Sequence, residues 1–313
     1  MNHSPGVDRL RRSAHFVPGA NEKMLSKALA SNADGLVLDL EDAVTPKRKD
    51  ETREIVAGWL RDVSFGSQER IVRMNPLDTP WGNEDLRVTM RHPPDAYVVP
   101  KVSNLSELER IDEIVTRCEN EHGHPQGDVG LILVSTETPA GVLNLPTFTD
   151  CRRVIALSWG AEDLSSALGA PRNRLPDGTY LDIYRHCHTH TLLCAAAGGV
   201  QPLDTVFTDI RDLQGLREEC LRSAWSGYTG KITIHPSQID IVNEAFSPST
   251  EEIETCTRLL EAFEIARAQG RMAFSFEGRM VDVPHLTRAQ KLIARHHQIE
   301  AQLSHRNVEG AEH

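Results

Sequence analysis

Three acids, Asp39, Glu41 and Asp42, stand within four positions at the end of the apolar run Leu36-Val37-Leu38, in GLVLDLEDAVTPKRK (35–49). Other short apolar runs also end on polar residues: Arg73 with Asn75, then Lys101, Glu137, Glu162 with Asp163, and His235. Carboxylates brought together repel one another, and removal from water makes that repulsion costly. A hard divalent cation such as Mg2+ relieves it, prefers oxygen ligands and keeps positions for water or substrate. If the fold gathers these run ends at one edge, the acids surround a metal site.

Each residue also has an ordinary reading. Asp42 suits a helix cap, and an acidic first turn suits the helix dipole. Arg73 reads equally as a structural partner of Asp39 or Glu41. Glu137 could cap a helix beginning near Pro139, Glu162 competes with Asp163, and His235 reads as support for its strand end more than as a base. The cluster His186-Cys187-His188-Thr189-His190 falls in an expected helix, where His186 and His190 share a face and the others point elsewhere. An amphipathic helix carries such residues without a metal, so this cluster is set aside.

The elements that would position the acids are legible as eight short runs. They are HFVP (15–18), GLVLDL (35–40), RIVRMN (70–75), AYVVPK (96–101), GLILVSTE (130–137), RVIALSWG (153–160), PLDTVFT (202–208) and KITIHP (231–236). Most do not alternate cleanly, which marks strands covered on both faces. Helical stretches such as SELERIDEIVTRCENEH lie between them, so parallel β/α units are expected. Eight such units can close into a TIM barrel, whose chemistry sits at the C-terminal strand ends. A doubly wound open sheet is the competitor, but FVPGANEKM is a poor glycine-rich phosphate fingerprint. The reading is a (β/α)8 barrel over 1–247 and a C-terminal extension over 248–313. The extension holds a helix, a hairpin turning at Glu277-Gly278 and a last helix, and reads as a lid or a subunit contact.

Composition narrows the function classes. The chain has 313 residues, 39% hydrophobic and 25% charged, with formal net charge -11. Dispersed Lys and Arg on an acidic chain argue against a nucleic-acid surface. No apolar stretch approaches the length that spans a bilayer, and MNHSPGVDRLRRSAHF lacks a signal-peptide centre. Six cysteines without a CxxC pair read as reduced thiols, and a cytoplasmic enzyme is the default expectation.

Six stretches, in order, carry a resemblance: RSAHFVPGANEKMLSKALASNADGLVLDLEDAVTPKRK, RMNPLDTPWGNEDL, STETPAGVLNLP, SWGAEDLSSALG, GKITIHPSQI and FEGRMVDVPHL. From Arg12 to about Ala301 the chain resembles the citrate lyase β-subunit-like family of the HpcH/HpaI aldolase superfamily, which includes malyl-CoA and citramalyl-CoA lyases. The resemblance implies a (β/α)8 barrel that uses Mg2+, with Mn2+ as substitute, and makes or breaks a carbon–carbon bond beside a CoA thioester. By position, Glu137 and Asp163 resemble the direct metal ligands, while Asp39 and Glu41 match acids that hold metal-bound waters. Arg73 resembles the substrate-binding arginine. Asp282 resembles the catalytic acid that the C-terminal segment delivers to a neighbouring subunit, which implies a homo-oligomer, a trimer or a multiple of it. Phe16, Pro18 and Gly19, with Ile234, His235 and Pro236, correspond to CoA contacts.

On this reading the partners are small molecules, an acyl-CoA and a 2-keto acid. Arg73 would face the thioester enolate oxygen and Asp282 would exchange the proton at the enolate carbon. Three rivals share the site: a malyl-CoA thioesterase, a CoA-independent hydroxy-keto-acid aldolase, and a citrate lyase complex β subunit served by an acyl carrier. The FVPG start and MVDVP tail argue against the aldolase, and the long C-terminal segment is expected to argue against the complex subunit.

Overall fold

The computed structural model describes Gly6 and residues 8–309; the stretch read for a signal peptide lies partly outside them. Eight strands are β1 (Ser13–Pro18), β2 (Gly35–Asp39), β3 (Glu69–Arg73), β4 (Ala96–Val99), β5 (Gly130–Val134), β6 (Val154–Ser158), β7 (Gln201–Asp204) and β8 (Gly230–Thr233). They pair in parallel in chain order, and β1 pairs β8 to close the barrel. The expected TIM barrel is present, and the open-sheet alternative falls away.

Two sets of apolar side chains hold the wall. Val37, Ile71, Val98, Ile132 and Leu203 pack in one cluster, with Phe16 against it. Their neighbours Leu36, Leu38, Val72, Tyr97, Val99, Leu131 and Leu133 pack in another, with the helices. That period of two on a strand buried on both faces is why the runs look continuous rather than alternating. Burying each such side chain contributes about 1.5–3 kcal/mol.

The helices are α1 (Glu22–Leu29), α2 (Lys49–Asp62), α3 (Gly82–Thr89), α4 (Leu105–His122), α5 (Pro139–Asn144), α6 (Glu162–Ala167), α7 (Asp182–Gly198), α8 (Leu213–Ser226) and α9 (Pro236–Ala245). Asn21, Asn104 and Asp212 cap α1, α4 and α8 by accepting from the backbone N–H groups of Met24, Glu107 and Gly215. Several strand ends differ from the expected runs. The polar tails Met74-Asn75, Pro100-Lys101, Ser135 to Glu137 and Thr205 to Thr208 lie past the paired residues. The backbone turns into the βα loops there, and a hydrophobic pattern does not register where ladder pairing stops.

By compactness the chain divides into residues 1–243 and 244–313. The second unit contains α10 (Thr250–Ala268), β9 (Phe274–Phe276), β10 (Arg279–Val281) and α11 (Val283–Glu309). Ser249 starts α10 with a capping box to Glu252. The antiparallel hairpin turns where expected, with φ of 48° at Glu277 and 79° at Gly278, the pair of positive values that a two-residue I′ turn needs. Leu259, Phe263, Val281 and Ala289 form this unit's own small core. Among the described residues, no helix is long and apolar enough to cross a membrane.

Candidate active site

Asp39 and Arg73 are the last residues of β2 and β3, and the parallel register sets them side by side. Arg73 donates from Nε to Asp39 Oδ1 at 2.7 Å and from Nη2 to Oδ2 at 2.6 Å. The same carboxylate accepts the backbone N–H of Glu41 at 2.9 Å and of Ala43 at 3.3 Å. Asp39 is therefore fully engaged in orienting Arg73 and the turn after β2. The guanidinium carbon lies 4.5 Å from the Phe16 ring centroid, so the cation is also held from β1. Burial works against its charge, but Asp39 and Glu41 outweigh this and keep Arg73 protonated.

Glu41 is buried beside this pair. One oxygen receives the ammonium of Lys101; the other, Oε2, lies 2.9 Å from Arg73 Nη1 without hydrogen-bond alignment to any partner. Burial raises its pKa, and Arg73 and Lys101 pull the other way. Asp42 is mostly exposed, 3.5 Å from Lys101 Nζ, and does not cap the following turn, which Thr45 begins.

Lys101 ties the acids together. Its φ is +56°, a left-handed conformation uncommon outside glycine, and its backbone N–H donates to Glu137 Oε2 at 2.7 Å. Its ammonium reaches Glu41 and lies 3.5 Å from Asp163 Oδ1. Glu137 is only 7% exposed. Burial first, then the negative charges of Asp163 and Glu41, push its carboxyl up to about 8. It does not cap α5; Thr138 does, accepting from Gly141 N–H at 2.9 Å. Glu162 and Asp163 both border the cavity over these groups, and Asn173 Nδ2 donates to Glu162 Oε1 at 2.8 Å. Gly160 packs directly on Glu137, where an added Cβ would stand 2.7 Å from its Cγ.

A cavity of ≈ 340 Å3 opens over these groups, lined by Phe16, Pro18, Asp39, Arg73, Glu137, Asp163 and Ile234 among others. Gly19 is not among the lining residues; it follows Pro18, and its N–H donates to Asp39 O at 3.0 Å. His235 and Pro236 are exposed beyond Ile234, and His235 Nδ1 pairs with Ser237 Oγ at 2.8 Å. Asp282 belongs to the second unit, just before α11, where its Oδ1 and His285 Nδ1 are 2.6 Å apart.

Among the described residues no group of three or more His, Cys, Asp or Glu side chains is arranged to hold a metal. His186 and His190 do share a face, their rings 5.3 Å apart. Two carboxylates opening on a cavity, one of them buried against like charge, are still a donor set that fits Mg2+. That ion is commonly held by one or two carboxylates and keeps several waters.

Some participants were not assigned roles from the sequence. Lys101 stands out only through its backbone angle and its reach. Lys49, on α2, donates from Nζ to Leu40 O, Glu41 O and Asn75 Oδ1 at 2.9, 2.8 and 2.6 Å and fixes the loop bearing Glu41. Trp159, in the SWG stretch ending β6, and Thr205, after β7, border the cavity. A bulky aromatic at a strand end before glycine was the available signal for Trp159.

The HpcH/HpaI aldolase/citrate lyase family profile matches residues 12–236. Citrate lyase subunit beta of Leuconostoc mesenteroides subsp. cremoris is 34% identical over 287 residues, 91% of this chain and 93% of that protein. A (3S)-malyl-CoA thioesterase of Cereibacter sphaeroides is 34% identical over 290 residues, 93% of this chain and 96% of that one. The crystal structure of CitE from Mycobacterium tuberculosis in complex with magnesium, acetoacetate and coenzyme A is 32% identical, covers 92% of this chain and 98% of that chain, and superposes with a TM-score of 0.75. The C-terminal extension does not separate this chain from citrate lyase subunits, contrary to expectation. The Leuconostoc protein aligns over 287 residues, more than the 243 of the first unit. With the barrel, the ordered motifs and these likenesses in agreement, the chain belongs to the HpcH/HpaI aldolase/citrate lyase family, among its citrate lyase β-like members.

Proposed function

We propose that this protein is a Mg2+-dependent lyase that cleaves a 3-hydroxyacyl-CoA of the malyl- or citramalyl-CoA type into acetyl-CoA and a 2-keto acid, or runs the reverse condensation. The observation that carries the reading is Glu137. It is a buried carboxylate facing Asp163 and Glu41, opening on a cavity that the fixed cation Arg73 also lines. The CitE structure that holds magnesium, acetoacetate and coenzyme A supports the ligand classes.

Glu137 and Asp163 would hold the metal, with Mn2+ able to replace Mg2+. When bound, the ion would lower the pKa of the substrate hydroxyl and polarise the keto carbonyl that this oxygen becomes. Arg73, already oriented by Asp39, can donate to the thioester enolate oxygen without losing its proton. Glu41 and Lys101 would order water between the acids. In cleavage the substrate hydroxyl gives its proton to water, and the carbon–carbon bond breaks as that oxygen becomes the keto carbonyl. The bond's electron pair goes to the enolate, and the enolate carbon takes a proton from the Asp282 carboxyl. The condensation returns that proton to the Asp282 carboxylate. We place that Asp282 on a second copy of the chain, in a homotrimer or a multiple of it, with residues 248–313 as the exchanging lid. Phe16, Pro18, Gly19, Ile234, His235 and Pro236 would receive the CoA arm. A cytoplasmic setting accords with six free cysteines, five of them buried.

Hydrolysis is the second reading, because the malyl-CoA thioesterase is as similar in sequence as the citrate lyase subunit. The deciding assay gives purified protein, Mg2+ and a panel of 3-hydroxyacyl-CoA esters, with free CoA and keto acid followed separately. Keto acid formed without free CoA supports the lyase. Free CoA without keto acid supports hydrolysis, and no turnover of any thioester removes both.

A further inference from the structure

Behind the candidate site a second cavity of ≈ 500 Å3 is bordered by α7, α8 and the loop around Tyr180, and Trp159 borders both cavities. The indole is only 2% exposed. Its Nε1 donates to Asp204 Oδ1 at 2.8 Å, and the backbone N–H of Thr205 donates to the same oxygen at 2.9 Å. The other oxygen, Oδ2, accepts from Lys231 Nζ at 2.8 Å and from Ser223 Oγ at 2.9 Å. Lys231 donates again to Glu219 Oε1 at 2.9 Å, and Glu219 Oε2 accepts from Arg174 Nη1 at 2.9 Å. The Arg174 guanidinium lies 3.5 Å from the Tyr180 ring centroid, and Tyr180 meets Trp159 edge-on at 5.0 Å. The contacts close on themselves: Trp159, Asp204, Lys231, Glu219, Arg174, Tyr180 and back to Trp159.

A buried ion pair is weak evidence for stability, because desolvation offsets much of its attraction; holding one geometry is its better-attested use. This ring has something specific to hold. Trp159 is followed directly by Gly160, which abuts Glu137 and whose N–H donates to Thr136 Oγ1 at 3.0 Å. Two residues beyond Ala161 lies Asp163. The backbone that carries the indole thus runs directly into Gly160, packed against Glu137, and on to Asp163.

We infer that the ring is a positioning device: Asp204, gripped by Lys231, fixes the Trp159 indole and through Gly160 sets the spacing of the Glu137 and Asp163 carboxylates. The inference rests on the proposed reading of those two acids as the divalent-cation ligands. Partners one shell removed from a metal's ligands change metal affinity about 10- to 100-fold when altered. Trp159→Phe keeps the aromatic body and loses the N–H. Arg174→Met opens the ring at its partly exposed side, which leaves the buried Asp204–Lys231 pair intact for folding.

The test uses full-length protein without substrate. Mn2+ binding is followed by electron paramagnetic resonance, and the four tryptophans are labelled as 5-fluorotryptophan for 19F resonance, Trp159 being assigned by its loss in Trp159→Phe. Each single variant is expected to bind Mn2+ about tenfold more weakly. Arg174→Met should also displace the Trp159 resonance and add little in the Trp159→Phe background, because both act through the indole. Unchanged Mn2+ affinity in Arg174→Met, or full additivity in the double variant, overturns the inference. If the wild type itself binds no Mn2+, the metal reading falls. The Trp159 resonance then decides the ring alone: unmoved in Arg174→Met, it overturns the positioning role, and displaced, it upholds the grip on the indole.

Discussion

Asp39 and Arg73 are register partners on adjacent parallel strands, and their side chains meet fork to fork at 2.7 and 2.6 Å. Planarity on both sides is what the geometry uses, so Arg73→Lys is not a conservative change. Lysine keeps the charge but offers no paired N–H groups to the carboxylate while presenting another to substrate. Turnover is expected to fall about a hundredfold or more, the usual consequence of losing one preorganised donor. Steady-state kinetics on a folded Lys variant measure it, and near-normal turnover would leave Arg73 a structural partner of Asp39.

Glu137 gives an expectation of opposite sign for stability and for activity. Its carboxyl rises from 4.5 to about 8 on folding, through burial and the neighbouring Asp163 and Glu41. A raised folded pKa contributes stability that is full below pH 4.5 and is lost as pH rises toward 8. In chelator, Glu137→Gln should therefore be more stable than the wild type at pH 8, with the gap closing toward pH 4.5. With Mg2+ the order should reverse, because only the wild type gains binding energy. Thermal melts across pH, with and without the ion, check both, and activity should be lost in the Gln variant throughout.

His15 supplies an acid-side counterpart. It is buried on β1 with Nδ1 3.0 Å from Thr233 Oγ1, and burial with nearby His235 lowers its pKa from 6.5 to about 4. A lowered histidine favours the native state above pH 6.5, and that contribution disappears as pH falls toward 4. The gap corresponds to about 3 kcal/mol at most. His15→Asn should flatten the fall in unfolding free energy between those pH values, whatever its effect at neutral pH. Denaturant titrations at several pH values read the slope, and an unchanged slope would assign the acid lability elsewhere.

Asp282 is tested by mixing. Asp282→Asn keeps shape and hydrogen bonding to His285 but cannot transfer a proton, so kcat should drop about 100- to 10,000-fold. Combined with inactive Glu137→Ala protein under conditions where subunits exchange, it should regain activity, because a mixed oligomer contains an intact composite site. Exchange demonstrated by labelled subunits without regained activity would place each site within one chain. Solvent exchange of the acetyl-CoA methyl protons at the normal rate in Asp282→Asn would remove its catalytic role.

The barrel was legible because its strands are buried on both faces: runs such as GLVLD and GLILV need no distant information to read as covered strands. The clustering of Asp39, Arg73, Glu137 and Asp163 followed from the same pattern, since parallel β/α units put all their strand ends at one mouth. Which acid does what was another matter. Thr138 rather than Glu137 caps α5, Asn173 donates to one oxygen of Glu162, and Arg73 fills Asp39, and each depends on hydrogen-bond directions that spacing along the chain leaves open. The left-handed backbone of Lys101 and the six-residue ring behind Trp159 were invisible for the same reason. Asp204 meets Lys231 and Trp159 across 27 and 45 positions of sequence. Periodicity reports what a segment buries; only closure of the barrel decides which distant polar group it is buried against.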